Sequence, residues 1–148
     1  MKRIFIIIIL MFGWLMEGWS QEGLHIDELF NGQYKRKDNA IEVVVKGNQL
    51  ERYKLEVFRS LTIKNDPKDF ERIEKLVEQD EKHAISKETG HIGERLYYAF
   101  YCLPPEKERF RYIFYRNSSL RKTESNELTL IYMEGNVTMD ELKDMFKK

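Results

Sequence analysis

Leu96-Tyr97-Tyr98-Ala99-Phe100-Tyr101-Cys102-Leu103, closed by Pro104-Pro105, and Phe110-Arg111-Tyr112-Ile113-Phe114-Tyr115-Arg116 decide the fold. Both runs are dense in tyrosine and phenylalanine, which suit a pleated, half-buried surface. In the first, Leu96, Tyr98, Phe100 and Cys102 alternate with Tyr97, Ala99, Tyr101 and Leu103. In the second, Phe110, Tyr112 and Phe114 fall on one face. Proline cannot donate to a ladder, so Pro104-Pro105 is expected to end the first strand.

Working towards the C-terminus, Asn117 to Asn126 is a polar connection. Leu128, Leu130 and Tyr132 then alternate with Thr129, Ile131 and Met133 up to Gly135, which is a third strand. Thr138 with Glu141 three residues on is a capping box, and it opens a helix with Met139, Leu142, Met145 and Phe146 on one face. Lys147 and Lys148 close that helix in the sense its dipole favours.

Working towards the N-terminus, Asp66 is a good N-cap and Pro67 fits the first helical position. Phe70, Ile73, Leu76 and Val77 make the apolar face of this helix, which should end near Glu81 to His83. Ala84 to Gly90 reads as a weak strand. Ile41, Val43 and Val45 alternate with Glu42, Val44 and Lys46, and Gly47-Asn48 is a turn. Tyr53, Leu55 and Val57 alternate again, but Phe58, Leu61 and Ile63 fall out of that register, which predicts a bulge or a bend. A helix through Leu50, Tyr53, Val57 and Leu61 is the competing reading, and Ser60-Leu61-Thr62-Ile63 favours the strand. Ile26, Leu29, Phe30 and Tyr34 have helical spacing, weakened by about 1 kcal/mol at Gly32. The order α, β, β, α, several β, α gives an α+β fold. The expected architecture is an antiparallel sheet of about five to six strands with two to three helices packed on one face.

The first twenty residues read as a leader. Met1-Lys2-Arg3 is basic, and Ile4 to Leu15 is an uncharged apolar run of twelve residues. That is within the ~7–15 of a signal-peptide core and below the ~18–20 that spans a bilayer. Gly18 and Ser20 place small side chains two apart, so cleavage is expected between Ser20 and Gln21, with residues 21–148 forming one domain. An uncleaved anchor is the alternative. A lipoprotein needs a cysteine just after the apolar run, and the single cysteine is Cys102. The expected address is the periplasm or the exterior, with no membrane span after processing.

The chain carries 25 Lys+Arg and 25 Asp+Glu. Removing Lys2, Arg3 and Glu17 leaves 23 against 24, a net charge of −1. That balance does not supply the positive field nucleic acid requires. With one cysteine the domain cannot staple itself internally, so its core must hold it. Cys102 reads as a small buried hydrophobe on a strand.

Ile26-Asp27-Glu28-Leu29-Phe30, Phe58-Arg59-Ser60-Leu61-Thr62, Tyr112-Ile113-Phe114-Tyr115-Arg116-Asn117 and Thr129-Leu130-Ile131-Tyr132-Met133-Glu134-Gly135 together carry a resemblance. The pattern resembles small secreted proteins of gut-dwelling Gram-negative bacteria classed as domains of unknown function. The resemblance implies a signal peptide and an α+β domain, and carries over no catalytic residue.

Catalytic and metal chemistries find little support in the sequence. His25, His83 and His91 form no H-E-x-x-H, and His83, His91 and Glu94 make a poor zinc set, so no metal and no cofactor are expected. Ser60 and Ser118-Ser119 lack a nucleophile elbow and a nominated base. Glu71, Glu74, Glu78 and Asp80 read as a solvated helix face. No glycine pattern cradles a phosphate.

Two clusters stand out as binding candidates. Alternation places Tyr97, Tyr101 and Tyr115 on the sheet face away from Tyr98, Phe100 and Tyr112, beside Arg111. If that face is uncovered, tyrosine and arginine suit a protein contact. Arg116-Asn117-Ser118-Ser119-Leu120-Arg121-Lys122 is the second, with Arg116 and Arg121 suited to an anion. The favoured function is a non-enzymatic exported domain that binds another envelope protein or an envelope component. The alternatives are a small-ligand-binding or hydrolase-like domain with a cleft between sheet and helices, and a component of a surface or secretion assembly. The last requires an unprotected edge strand.

Overall fold

Six strands answer the alternating runs in a computed structural model that describes residues 23–147, with side chains through Met145. They are β1 (Ala40–Lys46), β2 (Leu55–Lys64), β3 (Ser86–Ile92), β4 (Arg95–Glu106), β5 (Arg109–Asn117) and β6 (Glu127–Gly135). They form one sheet in the order β1-β2-β6-β5-β4-β3, with every neighbour antiparallel. Two α-helices, α1 (Pro67–Asp80) and α2 (Met139–Lys147), and short 3₁₀ turns complete the described chain. The leader, its cleavage point after Ser20 and the side chains of Phe146, Lys147 and Lys148 lie outside the described residues. No helix among the described residues is long and apolar enough to cross a membrane.

The capping signals fix both helices. The Asp66 carboxylate accepts from Asp69 N at 3.1 Å, with Pro67 behind it. Thr138 and Glu141 form a reciprocal box: Thr138 N donates to Glu141 Oε1 at 2.8 Å, and Glu141 N donates to Thr138 Oγ1 at 3.2 Å. β2 is irregular, but earlier than expected: its register against β6 shifts between Leu55 and Val57, so Val57, Leu61 and Ile63 share one face while Leu55 and Phe58 take the other. The shift sits beside Gly135, where an added Cβ would lie 2.3 Å from the Lys54 carbonyl oxygen. That oxygen already accepts from Asn136 N and Val137 N, so only glycine fits the crossing.

The helices do not share one face, which corrects the expected layering. Phe70, Ile73 and Val77 of α1, with Ile26, Leu29 and Tyr34, cover Leu61, Ile63, Ala99, Tyr101, Ile113, Tyr115, Leu128 and Leu130. Leu142 of α2, with Leu50 and Val137, covers Phe100, Tyr112 and Met133 on the opposite face. The reason is visible in the alternation. The central strands are apolar on both sides, so neither face is polar enough to stay open to water.

Three local expectations also change. Strand β4 runs through Pro104-Pro105 to Glu106, with a register shift against β5 between Leu103 and Glu106. The prolines are tolerated because β3 pairs no further than Cys102, leaving β4 without an outer neighbour there. The first helix is a 3₁₀ turn, His25–Phe30, and Gly32 at φ +95° then reverses the chain. Tyr34 still buries its ring in the same core, 1% exposed. Asn48–Tyr53 is a 3₁₀ helix, so Tyr53 precedes β2 instead of belonging to it.

Candidate functional site

Tyr101 and Tyr115 lie on the α1 side of the sheet and are fully buried. The tyrosine face, a contact candidate only if uncovered, is therefore the interior. The alternation was read correctly, but α1 covers this side. Tyr115 donates from its hydroxyl to the Leu96 carbonyl at 3.3 Å. The Tyr101 hydroxyl has no hydrogen-bond partner among the described residues. Burial pushes both phenols well above their ordinary range. Arg111 is buried as well. Its Nε donates to the Tyr132 hydroxyl at 3.1 Å and its Nη1 to the Pro104 carbonyl at 3.4 Å.

The remaining candidates meet at the end of the sheet. Arg116 and Arg121 stack over the Tyr97 ring at 5.1 and 4.7 Å. Tyr97 and Arg116 both donate to Glu124, at 2.9 and 3.0 Å. Desolvation raises the Glu124 carboxyl, but these two hydrogen bonds and Arg121 outweigh it and hold the group below the usual carboxylate range. This cluster ties the β5–β6 connection to β4.

A polar row occupies the other end of the α1 face. Tyr132 donates to Glu134, which also pairs with Arg109 at 2.8 Å. The Arg59 guanidinium lies 4.8 Å over the Tyr132 ring and pairs with Asp27 at 3.5 Å. Burial raises the Asp27 carboxyl against the pull of Arg59. Cavities of about 440 and 380 Å³ open on either side of Leu24, both reaching Arg111 and Glu106. The larger is lined by Arg59, Tyr132, Glu134 and Asp27, groups already engaged with one another. Away from these openings, the layer between sheet and α1 is filled by apolar side chains. The row shows in the sequence only as Arg59, Arg111 and Glu134 standing at inward positions of apolar strands.

His83, His91 and Glu94, judged a poor zinc set from the sequence, are not the ligand-type residues that come together among the described residues. His25, Asp80 and His83 bring ligand-type atoms within 4.8 Å of one another and could hold a cation. Asp80 is fully buried and already occupied. Its Oδ1 accepts from His25 N at 2.7 Å and contacts His25 Nδ1 at 2.8 Å, while Oδ2 accepts from Ile26 N at 2.9 Å. Its evident work is to hold the His25–Phe30 turn against the end of α1. Cys102 is a half-buried strand residue whose thiol burial pushes up.

The feature passed over in the sequence is the outer edge of β1. It presents Ile41, Val43 and Val45 on one face and Glu42, Val44 and Lys46 on the other, and although aliphatic side chains stand on both faces it ends the sheet. Ile41, Val43 and Val44 are 60, 39 and 47% exposed. No described residue pairs with this edge. An apolar groove of about 370 Å³, lined by Val45, Leu50, Tyr53, Phe58 and Met145, borders it on the α2 side. The opposite edge is different. β3 carries Lys87 and Glu88, ion-paired to Glu81 and Lys143, and its ladder shifts register between Gly90 and His91. Charge and irregularity are how sheets blunt an edge.

These features define a class: a six-stranded antiparallel domain with an aromatic interior, one protected edge and one bare aliphatic edge. The chain belongs to a family of unknown function, DUF6108, whose model matches residues 14–146. No curated protein and no solved structure matches it.

Proposed function

We propose that this protein is an exported, non-enzymatic module that binds another polypeptide of the cell envelope by adding an extended segment of it to the edge of β1. The bare edge carries the reading. Unpaired backbone groups supply affinity in strand addition, and flanking apolar pockets receive alternate side chains. The groove beside Val45 supplies such a pocket. Export rests on the leader of residues 1–20 with cleavage between Ser20 and Gln21, and leaves the domain periplasmic or released.

Cross-linking in the native envelope, followed by purification of the tagged protein, tests the reading. The expected result is a stoichiometric partner retained by the wild type and lost with Val44→Pro, which removes an outward N–H from the edge. Capture of the same partner by Val44→Pro overturns it. N-terminal sequencing of the purified protein should begin at Gln21.

A second contact, at Tyr97, Arg116 and Arg121, is favoured by Arg121, which stacks on Tyr97 and makes no salt bridge among the described residues. It suits a carboxylate or phosphate of a partner. Arg121→Ala should then weaken capture without loss of stability.

A further inference from the structure

We infer that the polypeptide β1 accepts is β1 of a second copy, paired antiparallel about a two-fold axis at Val44. This rests on the strand-addition reading and names its partner. The result is one continuous sheet of twelve strands, twice the six of one copy.

Backbone geometry sets the first condition. Gly47 N donates to Glu56 O, and Lys64 N donates to Asn39 O. Odd-numbered residues therefore point their backbone groups at β2. Because a strand has a period of two, Glu42, Val44 and Lys46 point theirs outward. A symmetric antiparallel partner must bring these even residues opposite even residues.

Side-chain chemistry then selects the register. Centred on Val44, Glu42 lies opposite Lys46 of the second copy, Lys46 opposite its Glu42, and Val44 opposite itself. All three are outward-facing pairs able to exchange both backbone hydrogen bonds. On the other side of the sheet Val43 meets Val45, so exposed aliphatic surface meets its like. Centred on Val43, Glu42 would face Val44 and Lys46 would face Ala40. Centred on Glu42, two carboxylates would face each other, which is unfavourable. One oxygen of Glu42 is already shielded from water without a hydrogen-bond partner among the described residues. Lys46 is exposed and makes no salt bridge among them. The pairing gives each a partner. It also leaves a closed two-fold assembly that does not propagate into a fibre, because the opposite edge is blunted by charge.

Sedimentation of the processed protein over about 1–300 μM tests this across the usual range of weak self-association. The expected result is a reversible dimer. Val44→Pro should abolish it with an unchanged circular dichroism spectrum, since this residue's N–H does not serve the β1–β2 ladder. Glu42→Lys and Lys46→Glu should each weaken the dimer by roughly 30-fold, from two pairs turned from attraction to repulsion. The double exchange should restore it to within about threefold of wild type on the same arithmetic. A monomer at every concentration, or a dimer indifferent to Val44→Pro, overturns the self-pairing. Loss with Val44→Pro but no rescue by the double exchange overturns the register. A monomeric wild type that still captures an envelope partner through Val44 leaves strand addition standing and removes only the second copy, so the two failures are distinguishable.

Discussion

Removing the same atom from two neighbouring tyrosines should move stability in opposite directions. Tyr101 and Tyr115 lie on adjacent strands of one sheet face and are both fully buried. Tyr115 donates to the Leu96 carbonyl at 3.3 Å, a long bond. Its loss in Tyr115→Phe should cost about 1 kcal/mol, the usual net worth of an intramolecular hydrogen bond. The Tyr101 hydroxyl is buried without a partner among the described residues. A buried unsatisfied polar group costs about 1–3 kcal/mol, so Tyr101→Phe should recover about 1 kcal/mol while keeping the ring volume. For a domain of this size, 1 kcal/mol moves Tm by about 4 °C. Thermal and urea unfolding of the two variants should therefore bracket the wild type by about 4 °C on each side. If Tyr101→Phe is no more stable than wild type, its hydroxyl has a partner and the accounting fails. If Tyr115→Phe costs nothing, the Leu96 contact is not a functioning hydrogen bond.

Burial pushes the phenols of Tyr34 and Tyr112 up to about 12, while the unfolded chain ionises near 10. Their folded values exceed the unfolded ones, so this stability is complete below pH about 10 and is lost as pH climbs towards about 12. The phenolate absorbance of Tyr34 and Tyr112, read as the difference from Tyr34→Phe and Tyr112→Phe, should appear together with the loss of circular dichroism in that window, and titration of these two with the fold intact would contradict their burial. Gly135→Ala drives a Cβ onto the Lys54 carbonyl and should cost at least about 2 kcal/mol in urea unfolding, as overpacking against backbone does. Asp80→Ala strands the buried N–H of Ile26 and should cost about 3 kcal/mol, with faster hydrogen exchange in the His25–Phe30 turn. Unchanged exchange there would show that the carboxylate does not hold the turn.

The strands and both α-helices were legible because their signals are local. Alternation marks β4, β5 and β6, and Asp66-Pro67 and Thr138 with Glu141 mark the helix starts. What escaped was set by distant partners. Whether Tyr101 or Phe100 meets a helix depends on where α1 and α2 return, and the alternation treats both faces alike. The prolines of β4 were misread because their tolerance depends on β3 stopping at Cys102. Asp80 looked like one more carboxylate on a solvated helix face until its fit to His25 and Ile26 could be seen. The bare edge of β1 is a property of strand order. Ile41 to Val45 reads as an ordinary strand, and its exposure follows only from its place at the end of the sheet.

The β2–β6 seam has a consequence for how the molecule is made. β3 to β6 form a meander in which each strand lies beside the one before it, and β1–β2 is a hairpin. Their ladders join along the β2–β6 seam, from Leu55 opposite Gly135 to Lys64 opposite Glu127, with Asn65 and Asn126 bonded beyond its end. That contact closes a large loop, and such closures are slow. A chain leaving the ribosome therefore holds its hairpin, still unmatched, until the last strand emerges. The sheet is completed at its middle and not at its rim. A chain cut short before Glu127 lacks the strand that bridges the two half-sheets, which then share α1 but no ladder.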